Sequence, residues 1–138
     1  MRESDLWKYV KQGMMGKWHV TRIESSAGNG VPDVSFGLKD KQGWVELKYI
    51  PEWPKRSTTK VKLPLRPEQK HWINARGSLS GDVWVLCRIQ DDFYLLDHLA
   101  ANLLVAGSTK EYWDEYCTAH WVKRIDFDEF YGVLYNGC

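Results

Sequence analysis

Apolar and polar positions change their period several times along this chain, and each change marks an element. Residues 5–14 put Leu6, Tyr9 and Val10 on a common side, which predicts a short helix with Ser4 as its cap and Gly13 and Gly16 bracketing its end. Residues 17–24 then alternate, as a strand does. Val31, Val34 and Phe36, followed by Trp44, Val45, Leu47, Tyr49 and Ile50, flank the turn-like Lys39-Asp40-Lys41-Gln42-Gly43 and predict a β-hairpin. Pro51-Glu52-Trp53-Pro54 stops that strand, and residues 55–62 follow as a polar, basic loop or hairpin tip. Pro67 suits the first position of a helix and Gly77 its left-handed close, with Gln69, Trp72, Ile73 and Arg76 on one face between them. Residues 82–89 and 93–96 read as two strands around Gln90-Asp91-Asp92. Asp97 is placed to cap a helix reaching about residue 105, and Thr109 a second over 110–117; residues 121–130 return to strand-like alternation. The order predicts an α/β domain with a mixed central β-sheet flanked by helices.

The hairpin carries chemistry. Paired positions of an antiparallel hairpin share a constant index sum, so a turn centred near residues 39 and 40 sets Ser35 opposite Trp44 and Asp33 opposite Glu46. Alternation puts Trp44, Glu46, Lys48 and Ile50 on one face and Val45, Leu47 and Tyr49 on the other. Opposed side chains have Cβ atoms roughly 5 Å apart, where two carboxylates repel unless a cation intervenes. Mg²⁺ takes one or two protein carboxylates together with waters and phosphate oxygens, which Asp33 and Glu46 could supply. Lys48 would then hold the attacking water and offset phosphate charge.

Composition narrows the class without naming a reaction. A length of 138 residues suits one domain, 1–138, with a real core, and 43% hydrophobic against 27% charged residues is ordinary for a soluble globule. Eight Trp and seven Tyr are many, enough for some rings to be core and others to meet nucleotide bases. No apolar run approaches the ~20 residues of a membrane span, and the N-terminus does not lead into a signal-peptide segment, so a cytosolic protein is expected. Three cysteines without paired spacing fit reduced thiols, and His19, His71, His98 and His120 lack the spacing of a helical metal motif. Net charge is only +1, but residues 48–76 carry eight Lys or Arg against Glu52 and Glu68, whereas residues 77–138 carry four against ten acids. A polyanion would meet the middle of the chain. Within it, Lys55, Arg56, Lys60, Lys62 and Arg66 are the phosphate-contact candidates, and Trp53 could stack on an exposed base.

Pro32-Asp33 and Glu46-Leu47-Lys48 resemble the signature of the PD-(D/E)xK nuclease superfamily. The glycine-containing lead Gly28-Asn29-Gly30, and Leu65-Arg66-Pro67-Glu68-Gln69 beginning the following helix, are similar to the small stand-alone members of its VRR-NUC branch, over about residues 17 to 90. The resemblance implies a restriction-endonuclease-like core and a Mg²⁺-dependent DNA endonuclease, with Mn²⁺ able to substitute. Asp33, Glu46 and the Leu47 carbonyl would hold the metal, Lys48 would position the water and Gln69 would support it. A third acid commonly joins such a pair; Glu3 and Glu24 compete for the part, with Glu24 favoured as nearer the motif in sequence. A branched, junction or flap DNA substrate, a homodimer and a phage or mobile-element origin are also implied.

Other readings stay open. A site-specific homing or nicking enzyme lies within the same class, and a DNA-binding module with an idle site lies outside it. An interaction protein using the acidic, aromatic last third is a further alternative. A surface hairpin with Glu and Lys two apart can also be a plain solvated face, Glu24 an exposed strand-end carboxylate, residues 55–62 a mobile loop and Gln69 an ordinary exposed helix residue.

Overall fold

The computed structural model describes residues 2–16, 18–23, 30–38, 40–80 and 82–136. Six strands form one sheet in sequential order: β1 (His19–Arg22), β2 (Val34–Leu38), β3 (Lys41–Ile50), β4 (Val83–Ile89), β5 (Asp92–Asp97) and β6 (Ala119–Val122). Every neighbouring pair is antiparallel except β3 and β4, which are parallel. A parallel pair needs a crossover, and helix α2 (Pro67–Ser80) provides it. The sheet is therefore mixed, as the element order predicts.

Helices cover both faces. Leu6, Val10 and Met14 of α1 (Glu3–Met14) and Phe130 and Leu134 of α5 (Phe127–Asn136) pack on Val34, Phe36, Val45 and Leu47. On the opposite face Ile73 of α2, Leu104 of α3 (His98–Val105) and Trp113 of α4 (Lys110–Tyr116) pack on Val83, Val85, Cys87 and Ile89. This layering explains the near-continuous apolar run of β4, which is buried on both sides. Among the described residues no helix is long and apolar enough to cross a membrane.

Four local expectations differ from the structure. α1 starts at Glu3 rather than Asp5, because the Asp5 carboxylate accepts from the Arg2 backbone N–H at 2.8 Å and so serves the helix start from its third position; Ser4 lies inside the helix. The β2–β3 pairing reaches Leu38 and Lys41, so residues 41–43 belong to β3 and Asp40 turns the chain at φ 64. Gly77 does not end α2, which runs on to Ser80. Its lack of a side chain instead lets α2 approach α3, since a Cβ there would overlap the His98 ring. Residues 121–130 are mostly not strand: β6 ends at Val122 and α5 begins at Phe127, where Asp126 Oδ1 accepts from the Asp128 and Glu129 N–H groups. Phe127, Phe130 and Leu134 carry the helical spacing that the alternating reading passed over.

Candidate active site

The hairpin register is the expected one, with Ser35 opposite Trp44 and Val34 opposite Val45. One step further the backbone ladder stops, and side chains make the next rung. The Asp33 N–H donates to Glu46 Oε1 at 3.2 Å, and the Leu47 N–H donates to Asp33 Oδ2 at 3.1 Å. The Asp33 carbonyl turns away to accept from the Ile23 N–H at 2.6 Å, tying the same residue to the end of β1. Asp33 thus sits where β2 begins, partly buried, with its carboxylate laid across β3.

Gly30 makes that path possible. It has φ 80, and a Cβ there would overlap the Glu68 carbonyl oxygen, so only glycine lets this segment cross the first turn of α2. The crossing brings Asp33, Glu46 and Gln69 together. Gln69 is 5% exposed. Its Oε1 accepts from the Arg66 N–H at 2.9 Å, which orients the amide so that Nε2 donates to Glu46 Oε2, also at 2.9 Å. Lys48 Nζ lies 3.2 Å from the same Oε2. The Glu46 carboxylate is 1% exposed and meets three donors.

Burial and then the Asp33 charge push Glu46 up to about 7, with Lys48 and the hydrogen bonds opposing them. Two carboxylates held this close, one of them buried, make a site short of positive charge. Each carboxylate oxygen has two acceptor positions, so Asp33 and Glu46 keep capacity for a cation beyond the donors they already meet. Among the described residues no three His, Cys, Asp or Glu side chains come together where they could hold a metal ion. An open site with two carboxylates is instead the arrangement suited to Mg²⁺, which keeps most of its waters and binds phosphate oxygens. The donor set therefore fits a hard divalent ion.

Glu3, one of the two third-acid candidates, is the first residue of α1. Partial burial raises the Glu3 carboxyl, Lys48 lowers it, Asp33 raises it and Arg22 lowers it, so the first residue of α1 shares the electrostatic field of Asp33 and Lys48 although it remains open to solvent. Glu24, its competitor for this part, lies outside the described residues. The resemblance names Glu3 as a candidate but not its place, because α1 and β3 are far apart along the chain and meet only through packing on the sheet.

The basic candidates lie beyond the end of β3. Lys55, Arg56, Lys60 and Lys62 are exposed, and Arg66, also exposed, pairs with Glu68 at 3.3 Å. Trp53 is partly buried: its Nε1–H donates to Asp92 Oδ2 at 2.7 Å, and its ring meets Tyr94 and Trp113 edge-on at 6.0 and 6.3 Å. Cys87 is the β4 neighbour of Lys48 in the register, but burial raises its thiol, leaving it a packing group.

No family model matches the chain. No curated protein matches it either. Among solved structures the chain is similar to Hjc, a Holliday junction resolvase from the archaeal hyperthermophile Archaeoglobus fulgidus, at 11% sequence identity and a TM-score of 0.47, covering 78% of this chain and 92% of that one.

Proposed function

We propose that this protein is a Mg²⁺-dependent DNA endonuclease with a restriction-endonuclease-like core, of the PD-(D/E)xK type and similar to VRR-NUC proteins. The observation that carries the reading is the meeting of Asp33, Glu46, Lys48 and Gln69 at one point, with the Glu46 carboxylate buried and hydrogen-bonded to the other three residues. A solvated hairpin face would not bury a glutamate or raise its carboxyl.

Asp33, Glu46 and the Leu47 carbonyl would hold the metal, Mn²⁺ substituting for Mg²⁺. When bound, the ion supplies charge stabilisation at the attacking and departing oxygens of an in-line displacement. Water attacks phosphorus and the P–O bond to the leaving oxygen breaks. Lys48, anchored on Glu46 Oε2, has N–H bonds left to orient that water. Gln69 fixes the Glu46 carboxylate, and Glu3 and Glu24 are the two candidates for a third acid. Lys55, Arg56, Lys60, Lys62 and Arg66 form the phosphate-tracking surface, with Trp53 beside them. A branched DNA substrate, a homodimer and a phage-like, host-cytoplasmic setting belong to the same reading.

Incubation with linear duplex, flap and four-way-junction DNA, with Mg²⁺ and with chelator, tests it. Metal-dependent cleavage that favours the branched DNAs is expected. Binding without cleavage of any of them would instead indicate a DNA-binding module with an idle site.

A further inference from the structure

Past the end of β3, the turn that follows Trp53 covers a cavity of about 270 Å³. Trp53 and Pro54 give it an apolar wall, Lys55 and Arg56 its cations, and Ser57 and Thr59 its hydroxyls. We propose that it is a subsite for one unpaired nucleotide of the DNA substrate, which deepens the nuclease reading above and rests on it.

The cavity is built rather than incidental. The Trp53 N–H donates to Gln90 Oε1 at 3.1 Å while its indole N–H holds Asp92, and Asp92 in turn lies 2.7 Å from His120 Nε2. The Thr59 N–H donates to the Arg56 carbonyl at 3.1 Å and closes the turn. Two strands and the turn therefore fix the wall before any ligand arrives, which reduces the ordering cost of binding.

Its chemistry points to a phosphate joined to a flat ring. Lys110 lies over the Trp53 ring at 5.3 Å, but Asp114 at 3.2 Å neutralises it, so it is wall rather than attractant. Lys55 and Arg56 make no ion pair among the described residues and keep their charge for a ligand. A phosphate alone would need only those two. The apolar wall and the volume, about nine waters' worth, suit the roughly ten non-hydrogen atoms of a nucleobase. A base within a duplex is stacked on both faces and cannot enter a cavity, so the nucleotide must be unpaired. Trp53 follows Lys48 by five positions of chain, at most about 18 Å, so the same DNA can reach both.

The test is binding in chelator, read by fluorescence anisotropy, of three labelled DNAs: a continuous duplex, the same duplex interrupted by a short gap of unpaired thymidines, and the gapped duplex with abasic residues in the gap. Wild type is expected to bind the thymidine gap about fivefold more tightly than the other two, the low end of one base–aromatic contact. Ser57→Trp, which fills the cavity without removing a charge, should abolish that preference. If that variant does not fold, Lys55→Ala/Arg56→Ala, both at exposed positions, should weaken the gapped complex more than the continuous one. Equal affinities in wild type, an abasic gap bound as well as the thymidine gap, or a preference that survives the variants would each overturn the subsite. Mg²⁺-dependent cleavage by wild type is followed in parallel. Its absence would defeat the nuclease reading, whereas the binding ratios decide the subsite alone.

Discussion

Asp33 and Glu46 hold each other's strands through their side chains: the Asp33 N–H donates to Glu46 Oε1, while Asp33 Oδ2 accepts from the Leu47 N–H next to Glu46. The exchange replaces one rung of the β2–β3 ladder beyond Val34 and Val45. Both carboxylates are consequently fixed by backbone donors, at the point where the backbone pairing of the two strands stops.

Removing either charge should remove chemistry before it removes the fold. Asn at 33 can still accept from the Leu47 N–H, and Gln at 46 can still accept from the Asp33 N–H. Asp33→Asn, Glu46→Gln and Lys48→Ala are each expected to lower the cleavage rate by about 100-fold or more, roughly 2.7 kcal/mol of barrier. DNA affinity measured in chelator should stay within a few-fold of wild type. Unchanged turnover in either carboxylate variant would place the metal site elsewhere.

Stability without metal should depend on pH through Glu46. Its folded carboxyl is raised from 4.5 to about 7, so between those values the folded state holds a proton that the unfolded chain has released. More protons on the folded state mean that stability falls as pH rises through this window, by an order of 3 kcal/mol in total, the loss being complete above about 7. Glu46→Gln cannot titrate there. Chelator-treated wild type should therefore lose stability relative to Glu46→Gln between about pH 4.5 and 7 in denaturant titrations, and parallel curves would refute the assignment.

Gln69 is held at both ends of its amide, by the Arg66 N–H and by Glu46 Oε2. Gln69→Leu keeps the volume but leaves the part-buried Arg66 N–H without its acceptor and the buried Glu46 Oε2 with Lys48 as its one remaining donor. A loss of about 1–3 kcal/mol in total is expected in chemical denaturation. A loss below about 0.5 kcal/mol would mean that water replaces the amide readily.

Helix propensity alone favours Ala over Gly inside α2 by up to ~1 kcal/mol. Gly77→Ala should nonetheless lower the melting temperature, because the added Cβ meets the His98 ring of α3. Combining it with His98→Ala should recover only part of the loss, because the His98 Cβ that remains would still lie 2.6 Å from the added one. A rise in the single variant would show that the two helices separate at little cost.

Neutralising Lys55, Arg56, Lys60 and Lys62 together should weaken duplex binding and flatten its dependence on salt. Each lost phosphate contact reduces the slope of log affinity on log salt by about 0.9. A slope equal to that of wild type would mean that this stretch faces solvent in the complex.

The sequence by itself determined what local physics controls. Alternation and turn residues gave the β2–β3 hairpin and its register, since a slip of one residue would expose Val34, Phe36, Val45 and Leu47. Pro67 marked the start of α2, and Asp97 marked the start of α3 by capping the Ala100 N–H. The grouping of Glu46 with Lys48 followed from the two-residue period of a strand. Tertiary structure decided everything that depends on elements meeting. Whether Gly77 ends a helix or admits a neighbour turns on where His98 lies. Residues 121–130 carry spacing for both a strand and a helix, and the Asp126 cap together with packing of Phe130 against Trp18 and Trp121 selected the helix. The approach of Glu3 to Asp33 and Lys48, the burial of Glu46 beneath Gln69 and the cavity at Trp53 all arise because one sheet draws distant segments together, and no spacing along the chain encodes such a meeting.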